Sequence, residues 1–403
     1  TCEMVIIDEL IQYRRTLRSM DRSLLNQMLD NVQVAAFFET SDKKSTMYAF
    51  GQKKIWSKMP DKTDSIVFGA SSFDDQLEAG IMKGFWFEPE FLVLLQDNQL
   101  LSSTTAIDDY LMQLSQLKKT QAPQIIDESA EADWQARVQT LINELSVNRS
   151  LKKVVFSRQQ QITLSAKLVL SKVIPALQKQ QDVYHAALKR DTELFITATP
   201  ERLVKINDNQ VETAAVAGTI RRGQIDLEDV KLGKELLNSE KNNQEHRYVV
   251  DNIVQQLGSL TNQLHVPNKP FLLKNKQVQH LYTPIQGTLA TNISIKDVVG
   301  KLHPTPALGG LPRKNALVYI RNYELHPRGL FASPIGYFTK NNFGEFVVGI
   351  RSMYVNGRNA RLFAGAGIVA ESDSQQEYYE TTLKFQPMLE LLEELSNDGH
   401  TNF

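Results

Sequence analysis

Short apolar runs separated by turn-forming residues dominate this chain, and they predict a protein rich in β-strands. Strand patterns occur at residues 35–38, 47–50, 65–68, 84–87, 91–95, 153–164, 193–198, 202–206, 210–214, 336–339, 346–355 and 360–364. The segments Asn207-Asp208-Asn209 and Asn356-Gly357 are typical of hairpin turns between such strands. Hairpins join antiparallel strands, so we expect antiparallel sheets.

Helical patterns are fewer and do not alternate regularly with the strands. One covers residues 132–145, a longer one covers about 227–257, and a proline-rich loop is expected at 302–312. Many strands with few intervening helices favour an α+β fold in which helices cover antiparallel sheets. Residues 118–130 are expected to form a surface loop, and the sequence contains no internal repeat.

Composition restricts the classes of partner and compartment. The chain has 403 residues, 42% of them hydrophobic, which is enough for a sizeable core. Its net charge of −1 predicts no basic surface for nucleic acid or anionic lipid. The single cysteine, Cys2, excludes an internal disulfide and a cysteine zinc site. Without an apolar run of about 20 residues or signal-peptide features, we expect a cytoplasmic protein.

The segment 371–384, ESDSQQEYYETTLK, carries the most informative charges. On a helix, Glu377, Glu380 and Lys384 would share one face. The glycine-rich segment Gly365-Ala366-Gly367 precedes them and is expected to form a turn whose N–H groups can contact an anion. Together these features suggest a site for a metal ion and an anionic ligand. The alternative is a solvated helix face that follows an ordinary turn.

Three further charged residues allow either a structural or a catalytic interpretation. Lys153 opens the strand KVVFSR, where it is either a rim charge or a buried base. Glu201 follows Thr199-Pro200 at a turn, where exposure is usual, but burial would keep it protonated and able to act as an acid. Glu245 extends the apolar face formed by residues 249 and 253, where a carboxylate requires a cationic partner or a metal.

Four residues complete the set of candidates. Gly218 and Thr219 lie in the small-residue segment AVAGTIRRG, where the backbone can approach a ligand closely. His280, taken alone, has the features of a hydrogen-bonded core histidine. Arg351 interrupts an apolar strand and, if buried, requires a carboxylate. Phosphate-loop, dinucleotide and zinc motifs are all absent from the sequence.

Nine segments, in this order, resemble the chorismate-utilizing enzymes, and among these most closely the isochorismate synthases. They are KVVFSR, ATPERL, VAGTIRRG, SEK with EH, QHLYTPIQG, LHPTPALGGLP, GEFVVGIRS, RLFAGAGIV and EYYETTLK. The resemblance is dense over residues 150–390 and weaker over the more variable residues 1–130. It implies a single large α+β domain with two stacked antiparallel sheets and helices packed outside.

The resemblance also implies a reaction, in which water adds at C2 of chorismate while the C4 hydroxyl leaves. Lys153 matches the position of the base that activates the water. Glu201 matches the acid that protonates the departing hydroxyl. Glu245 and Glu380 match the Mg²⁺ ligands, with Glu377 in a direct or water-mediated role. The implied enzyme is an isomerase that requires Mg²⁺.

The remaining candidates match positions that contact the substrate. Arg351 and the backbone of Gly365, Ala366 and Gly367 match positions that hold a substrate carboxylate. His280 and Thr219, beside Gly218, match positions that line the ring of the substrate. Lys384 matches a position that faces the metal cluster.

The choice among family members depends on a few positions. Ala217 stands where amine-transferring relatives carry a nucleophilic lysine, so water is the expected nucleophile and no glutaminase subunit is expected. The string HPTPA at 303–307 favours an enzyme that stops at isochorismate over a salicylate synthase. Several motifs are most similar to the menaquinone-pathway branch, with the siderophore branch as the alternative. A chorismate-fold protein that binds without turnover is a further alternative.

Two positions depart from the family pattern. Asn242 replaces an aspartate that is frequent one turn before the Glu245–His246 pair, and Pro327 stands where an aspartate is common. Either change could alter the affinity for the metal.

Overall fold

The computed structural model describes residues 9–74, 78–114, 122–148, 150–276 and 278–397. Cys2 and the first residues of the predicted 118–130 loop lie outside these ranges. The described strands are β1 Tyr13–Thr16, β2 Val34–Glu39, β3 Ser45–Phe50, β4 Lys54–Trp56, β5 Ile66–Ser71, β6 Gly84–Glu88, β7 Phe91–Gln96, β8 Gln99–Ser102, β9 Ile125–Ala130, β10 Lys153–Leu164, β11 Tyr184–Arg190, β12 Glu193–Thr199, β13 Arg202–Asn207, β14 Gln210–Arg221, β15 Thr261–His265, β16 Phe271–Lys274, β17 Val278–Leu289, β18 Gly310–Leu311, β19 Pro334–Thr339, β20 Gly344–Val348, β21 Ser352–Asn356 and β22 Asn359–Ile368.

Helices in the same ranges complete the secondary structure. They are α1 Asp21–Asn31, α2 Ile107–Gln113, α3 Trp134–Val147, α4 Leu170–Leu177, α5 Asp226–Asn238, α6 Glu240–Gly258, α7 Ile295–Leu302, α8 Arg313–Tyr323 and α9 Ser374–Asn397, with a 3-10 turn at Gly80–Lys83.

The strands form two sheets, and every described pairing is antiparallel. The larger sheet has the order β1-β8-β7-β3-β2-β11-β12-β21-β22-β10-β18, with β9 also paired to β10. The smaller has the order β15-β17-β14-β13-β20-β19-β5-β6-β4, with β16 also paired to β17. Strands from the variable first part of the chain enter both sheets, because β2 pairs with β11 and β5 pairs with β19. The greater variability of residues 1–130, compared with the motif-bearing residues 150–390, stays a prediction.

The larger sheet is covered on both faces, as strand β2 shows. Every residue of this strand is buried. Val34, Ala36 and Phe38 join an apolar cluster with residues from both sheets. Ala35 and Phe37 point to the other face and join a cluster with α1, α4 and α9. Because side chains alternate along a strand, these clusters are a core involving both sheets and a core beneath helices. The predicted α+β fold of stacked sheets with helices outside is confirmed.

Several predicted boundaries require correction. The predicted helix at 227–257 is two helices, because α5 ends before Ser239, which caps α6 by accepting the N–H of Asn242. The expected loop at 118–130 is wrong in its last part, where β9 pairs with β10 as an exposed strand. The expected turn at Gly365–Gly367 is also wrong, because β22 continues to Ile368 and pairs with β10 throughout. The small side chains hid this strand from the pattern.

The strand predicted at 346–355 is in fact two strands in different sheets. β20 belongs to the smaller sheet and β21 to the larger one, and the chain crosses between them at residues 349–351. The chain also crosses between the sheets at Pro200 and Glu201, from β12 to β13. The residues on either side of the 349–351 crossing, Val348 and Ser352, are both buried, so apolar pattern alone could not reveal it.

The two crossings lie side by side and are hydrogen-bonded to each other's strands. The Val348 N–H donates to the carbonyl of Glu201 at 3.0 Å, and the Ala198 N–H donates to the carbonyl of Arg351 at 3.1 Å. The Thr197 hydroxyl also donates to the Ile350 carbonyl at 2.6 Å. These bonds fix the backbone of Glu201 relative to that of Arg351.

The double coverage of the larger sheet gives a stability prediction. Phe37 is 1% exposed and its ring lies 5.2 Å from that of Tyr48. We expect Phe37→Ala to lower the free energy of unfolding by about 3–5 kcal/mol, because it opens a cavity in the core. Phe271→Ala is the control, since Phe271 is 56% exposed. Urea denaturation measures both, and similar losses for the two variants would contradict the assignment of the core.

Candidate active site

A cavity lies beside the two crossings, where β10, β14, β17 and β22 meet α6 and α9. Its empty space is about 770 Å³, a volume that includes the part open to solvent. Of the residues predicted from the sequence, it is lined by Lys153, Glu201, Gly218, Thr219, Glu245, His280, Arg351, Gly365, Gly367, Glu380 and Lys384. The folded chain therefore brings together candidates that are more than two hundred residues apart in sequence.

Glu201 is a buried acid at the first crossing. Its side chain is nearly inaccessible, at 8% exposure, although the sequence pattern made exposure the usual outcome. Burial raises the pKa of Glu201 to about 7, even though the charges of Arg351, Lys153 and Lys384 act in the opposite direction. A carboxyl group with this pKa holds a proton in much of the population at neutral pH and can donate it.

Lys153 begins β10 and forms a buried ion pair across the cavity. Its Nζ donates to Oε1 of Glu245 on α6 at 2.8 Å, and the lysine side chain is 2% exposed. Burial alone would raise the pKa of Glu245, but the charge of Lys153 and its hydrogen bond outweigh burial and hold that pKa below its ordinary value. The rim-charge interpretation of Lys153 is therefore excluded by its position.

Glu245 borders the buried face of α6 but does not continue it. That face consists of His246, Val249, Ile253 and Leu257. His246 is held between the carbonyl of Ala217 at 3.2 Å and the hydroxyl of Thr283 at 2.8 Å. Burial lowers the pKa of His246, so this neutral core histidine anchors α6 to β14 and β17. His246 was not among the candidate residues predicted from the sequence.

α9 presents the predicted acidic residues and Lys384. The Lys384 ammonium donates to Glu380 at 2.6 Å and to the carbonyl of Gly365 at 2.8 Å. Glu377 is buried outside the cavity lining. Burial raises the pKa of Glu377 to about 7, and the charge of Glu380 acts in the same direction. A buried carboxyl beside another carboxylate is a place where a cation would be stabilised.

The donor set fits a hard divalent cation in part. Glu245 and Glu380 offer carboxylate oxygens to one cavity, and Mg²⁺ typically uses one or two carboxylates together with water and substrate oxygens. In the described part of the chain, no group of three or more His, Cys, Asp or Glu side chains is gathered closely enough to hold a metal by itself. Any metal here would need oxygen ligands from a bound molecule or from water.

Gly218 introduces a bulge that directs Thr219 and His280 to the cavity. The register of β14 with β17 shifts between Ala217 and Thr219, which leaves Gly218 as the extra residue. Its φ of +79° favours glycine. The Thr219 hydroxyl and Nδ1 of His280 are 3.0 Å apart. Burial lowers the pKa of His280 to about 3, and the charges of Arg351 and Lys384 add to this effect, so its imidazole is neutral.

Arg351 is a cation at the second crossing. Its backbone is left-handed, with φ of +50°, which is strained for a residue with a side chain and typical of functional positions. Burial lowers the pKa of Arg351 to about 10, so the guanidinium stays charged at neutral pH. No described carboxylate lies within 4 Å of it. The expected carboxylate partner of this arginine therefore does not come from the described protein.

The end of β22 contributes backbone polar groups to the cavity. The Val155 N–H donates to Gly309 and not to β22. Its antiparallel partner Gly367 therefore directs its N–H and C=O away from β10. Gly365 has the same orientation, because its carbonyl accepts from Lys384. The predicted anion-binding glycines thus lie in an extended strand, and their role stays a prediction. Ala366 is not brought to the site, because its side chain is buried in the core.

An apolar wall that the sequence analysis missed completes the cavity. Phe331 and Phe363 line it, with ring centroids 5.3 Å apart in a stacked arrangement. Leu308 and Ile350 lie on the same lining. Leu308 belongs to a segment used for the resemblance, but ordinary core residues have the same pattern, so no signal marked these side chains as ligand contacts.

Two further findings bear on the class of protein. In the described part of the chain, no helix is sufficiently long and apolar to cross a bilayer. A family model described as chorismate binding enzyme matches residues 61–393. The fold and the cavity therefore belong to the chorismate binding enzymes, and the chain is a member of that family. The family predicted from the motifs is confirmed.

The chain is similar to individual proteins that are named isochorismate synthases. Isochorismate synthase MenF of Bacillus subtilis (strain 168) is 34% identical over 374 residues, which are 87% of this chain and 79% of the relative. The salicylate biosynthesis isochorismate synthase of Pseudomonas aeruginosa is 40% identical over 64% of this chain and 54% of its own length. The solved structure of MenF, the menaquinone-specific isochorismate synthase from Escherichia coli, has a TM-score of 0.81 over 96% of this chain and 97% of that one. At 23% identity this last comparison supports the fold alone.

The environment of Glu201 gives a direct titration prediction. We expect its carboxyl band in infrared difference spectra, identified by its loss in Glu201→Gln, to be half-converted near pH 7. Arg351→Met should raise this midpoint further, because among the nearby charges that favour the carboxylate Arg351 has the largest effect on the pKa of Glu201. Titration close to the ordinary value of about 4.3 would contradict the buried-acid assignment.

Proposed function

We propose that the chain is an isochorismate synthase, which interconverts chorismate and isochorismate by adding water at C2 and releasing the C4 hydroxyl. The observation that carries this proposal is the buried Glu201, whose pKa of about 7 suits a proton donor, in one cavity with Lys153. The likeness to the MenF of Bacillus subtilis supports the same activity.

Lys153 and Glu201 divide the proton transfers between them. In the forward direction, Lys153 accepts a proton from the attacking water and Glu201 protonates the leaving hydroxyl. Lys153 donates to Glu245 in this arrangement, so it must give up its proton and that contact before it can act as a base. The reverse reaction exchanges the two roles, as a reversible hydration requires.

The positive groups of the cavity suit a substrate with two carboxylates. Arg351 has no described ion-pair partner, and its planar guanidinium can bind a carboxylate through two parallel hydrogen bonds. The N–H groups of Gly365 and Gly367 are a second donor set in the same cavity. His280 and Thr219 contact the ring from the β14–β17 side, and the apolar wall excludes water from the ring face.

Mg²⁺ is the proposed cofactor, held by Glu245 and Glu380 with Glu377 behind them. When bound, the ion would neutralise the ring carboxylate and fix its orientation. Both ligands are at present ion-paired with lysines, so their oxygens are already arranged around positive charge. Asn242 bonds to Ser239 at 2.8 Å at the start of α6, and it therefore acts on the metal only indirectly.

Water is the proposed nucleophile, and the product is proposed to leave as isochorismate. Ala217 offers no amine, so a covalent lysine intermediate has no residue to form it there. We propose a cytoplasmic enzyme of menaquinone biosynthesis that works without a glutaminase subunit. The siderophore pathway is the second candidate, and a salicylate synthase, which continues to pyruvate, is the third.

The test is incubation with chorismate and Mg²⁺, followed by chromatography of the products. Isochorismate alone supports the proposal, whereas salicylate with pyruvate supports the third candidate. An amino product as the main species at moderate ammonium concentration would overturn the water nucleophile. Full activity in excess chelator would overturn the metal assignment.

Variants of the acid and the base should lose turnover but not binding. We expect Lys153→Ala and Glu201→Gln each to lower kcat by roughly 10²–10⁴-fold, the usual contribution of general acid–base catalysis. Chorismate binding, measured by titration calorimetry, should persist because Arg351 and the β22 backbone remain. A variant that keeps near-wild-type kcat is not the acid or the base.

Gly367 gives a steric prediction for the base. A Cβ added there would lie 2.8 Å from Cε of Lys153 and 3.1 Å from Oε1 of Glu245. The lysine can move aside, so Gly367→Ala should change the free energy of unfolding little while kcat falls by about 10²-fold, as for a misplacement of about 1 Å.

The comparison for this prediction is Gly365→Ala on the same strand. The nearest atom to an added Cβ at this position is Cγ1 of Val155 at 3.4 Å, an ordinary contact. A smaller loss of kcat is expected. Equal losses for the two variants would mean that displacement of Lys153 is not the cause.

A further inference from the structure

Arg158 is a buried arginine that joins the strand of the proposed base to the helix of the proposed metal ligands. It lies on β10, five residues after Lys153, and is 3% exposed. Because side chains alternate along a strand, Arg158 points to the opposite face from Lys153. On that face its guanidinium contacts side-chain and backbone groups of α9.

The guanidinium of Arg158 binds one short stretch of α9. Its Nε donates to the Thr381 hydroxyl at 2.9 Å, and one terminal nitrogen donates to the Thr382 hydroxyl at 2.7 Å and to the Tyr378 carbonyl at 3.3 Å. The guanidinium also lies 4.1 Å from the ring centre of Tyr378 and 5.0 Å from that of Phe385. All these groups belong to the turns that carry Glu377, Glu380 and Lys384.

These contacts are unusual because they contain no ion pair. No described carboxylate lies within 4 Å of Arg158, and burial lowers its pKa. Arg328 is similarly buried, but its charge is paired in a salt bridge of 2.6 Å to Glu324. A buried cation is costly unless its hydrogen bonds are satisfied. Hydroxyl groups, a carbonyl and aromatic faces satisfy Arg158, and these groups are directional.

The rotation of α9 about its own axis matters because its carboxylates must face Glu245 on another helix. An α-helix has 3.6 residues per turn, so a slip of one residue would rotate Glu380 by about 100° and remove it from the cavity. The apolar contacts of α9 farther along, such as those of Met388 and Leu392, hold the helix on the sheet. Because they lie on one buried stripe, they also favour this rotation. The part of α9 that carries the carboxylates has no buried apolar side chain, so the directional bonds of Arg158 fix the rotation there.

We propose that Arg158 is a positioning residue, which fixes the rotation of α9 so that Glu380 and Glu377 meet Glu245 in a geometry that binds a divalent cation. The inference rests on the proposed function, because it assumes that these carboxylates are the metal ligands. It assigns Arg158 no contact with the substrate. Its effect should therefore appear in the affinity for the metal.

The experiment measures binding of Mn²⁺, as a spectroscopic substitute for Mg²⁺, by electron paramagnetic resonance without chorismate. The variants are Arg158→Met, which removes the fork and keeps an apolar side chain, Arg158→Lys, which keeps the charge alone, and Thr382→Val, which removes one acceptor. We expect Arg158→Met to weaken Mn²⁺ binding by about 10–100-fold, the usual effect of losing a residue that orients metal ligands. Arg158→Lys and Thr382→Val should give smaller losses.

Leu392→Ala is the matched control for lost stability. Leu392 is fully buried on α9 and belongs to the apolar cluster beneath the helices, away from the fork. It should lower the melting temperature, but its Mn²⁺ affinity should stay within about twofold of wild type. A purely structural role for Arg158 would make the loss of affinity follow the loss of stability in both variants.

The outcomes separate the inference from the function on which it rests. If the wild type converts chorismate but Arg158→Met and Thr382→Val bind Mn²⁺ as the wild type does, the inference is wrong and the proposed function stands. The same holds if an active wild type binds no Mn²⁺. If the wild type neither converts chorismate nor binds the metal, the proposed function is wrong and the inference falls with it. Should Arg158→Met not fold, Arg158→Lys and Thr382→Val decide.

Discussion

The hydrogen bonds between the two sheet crossings are the constraint on which the site depends. They join the chain at Glu201 to the chain at Arg351, two points that the sequence separates by 150 residues. Neither crossing could move without breaking backbone bonds that are buried and have no water to replace them. The rigid crossings hold an acid and a cation near each other without allowing them to form a direct ion pair. Each is therefore available to a ligand.

Most of the charged side chains in the cavity are paired with a group of opposite charge. Lys153 pairs with Glu245 and Lys384 pairs with Glu380, which compensates the cost of burying four charged groups. Glu201, with a pKa near 7, is partly neutral, so Arg351 is left as an uncompensated positive charge. A cavity with this balance attracts an anion. Its neutral His280 and its apolar wall then favour a ring next to that anion.

Sequence pattern predicted the sheets well where hairpin turns bounded the strands. β10 was also predicted at its observed bounds, residues 153–164. The pattern failed at residues 349–351, because the chain crosses there between the sheets without any polar interruption except Arg351 itself. It also failed at Gly365–Gly367, where glycines within a strand resemble a turn. In both places the tertiary structure, rather than local preference, determines the conformation.

The candidate residues were predictable for a different reason. Charged residues inside apolar runs are costly, so Lys153 and Arg351 were visible from the sequence alone, and the family motifs supplied their proposed roles. Ala366 was included only because it lies between two glycines, and alternation along β22 turns it into the core. Arg158 is part of the motif KVVFSR but remained unnoticed, since an arginine near the middle of a strand has many possible partners. Its significance required the contacts with α9.

The ion pairs also set a condition on the proposed chemistry. Glu245 is both the ion-pair partner of Lys153 and a proposed metal ligand. Glu380 is likewise both the ion-pair partner of Lys384 and a proposed metal ligand. A cation bound between these carboxylates would weaken their hold on the lysines, because each carboxylate would divide its negative charge between the metal and its lysine. Metal binding and the release of Lys153 are then coupled through Glu245, since both act on one carboxylate. On this proposal, a geometry that favours metal binding would also favour Lys153 as the base, so the rotation of α9 would affect a lysine on another element.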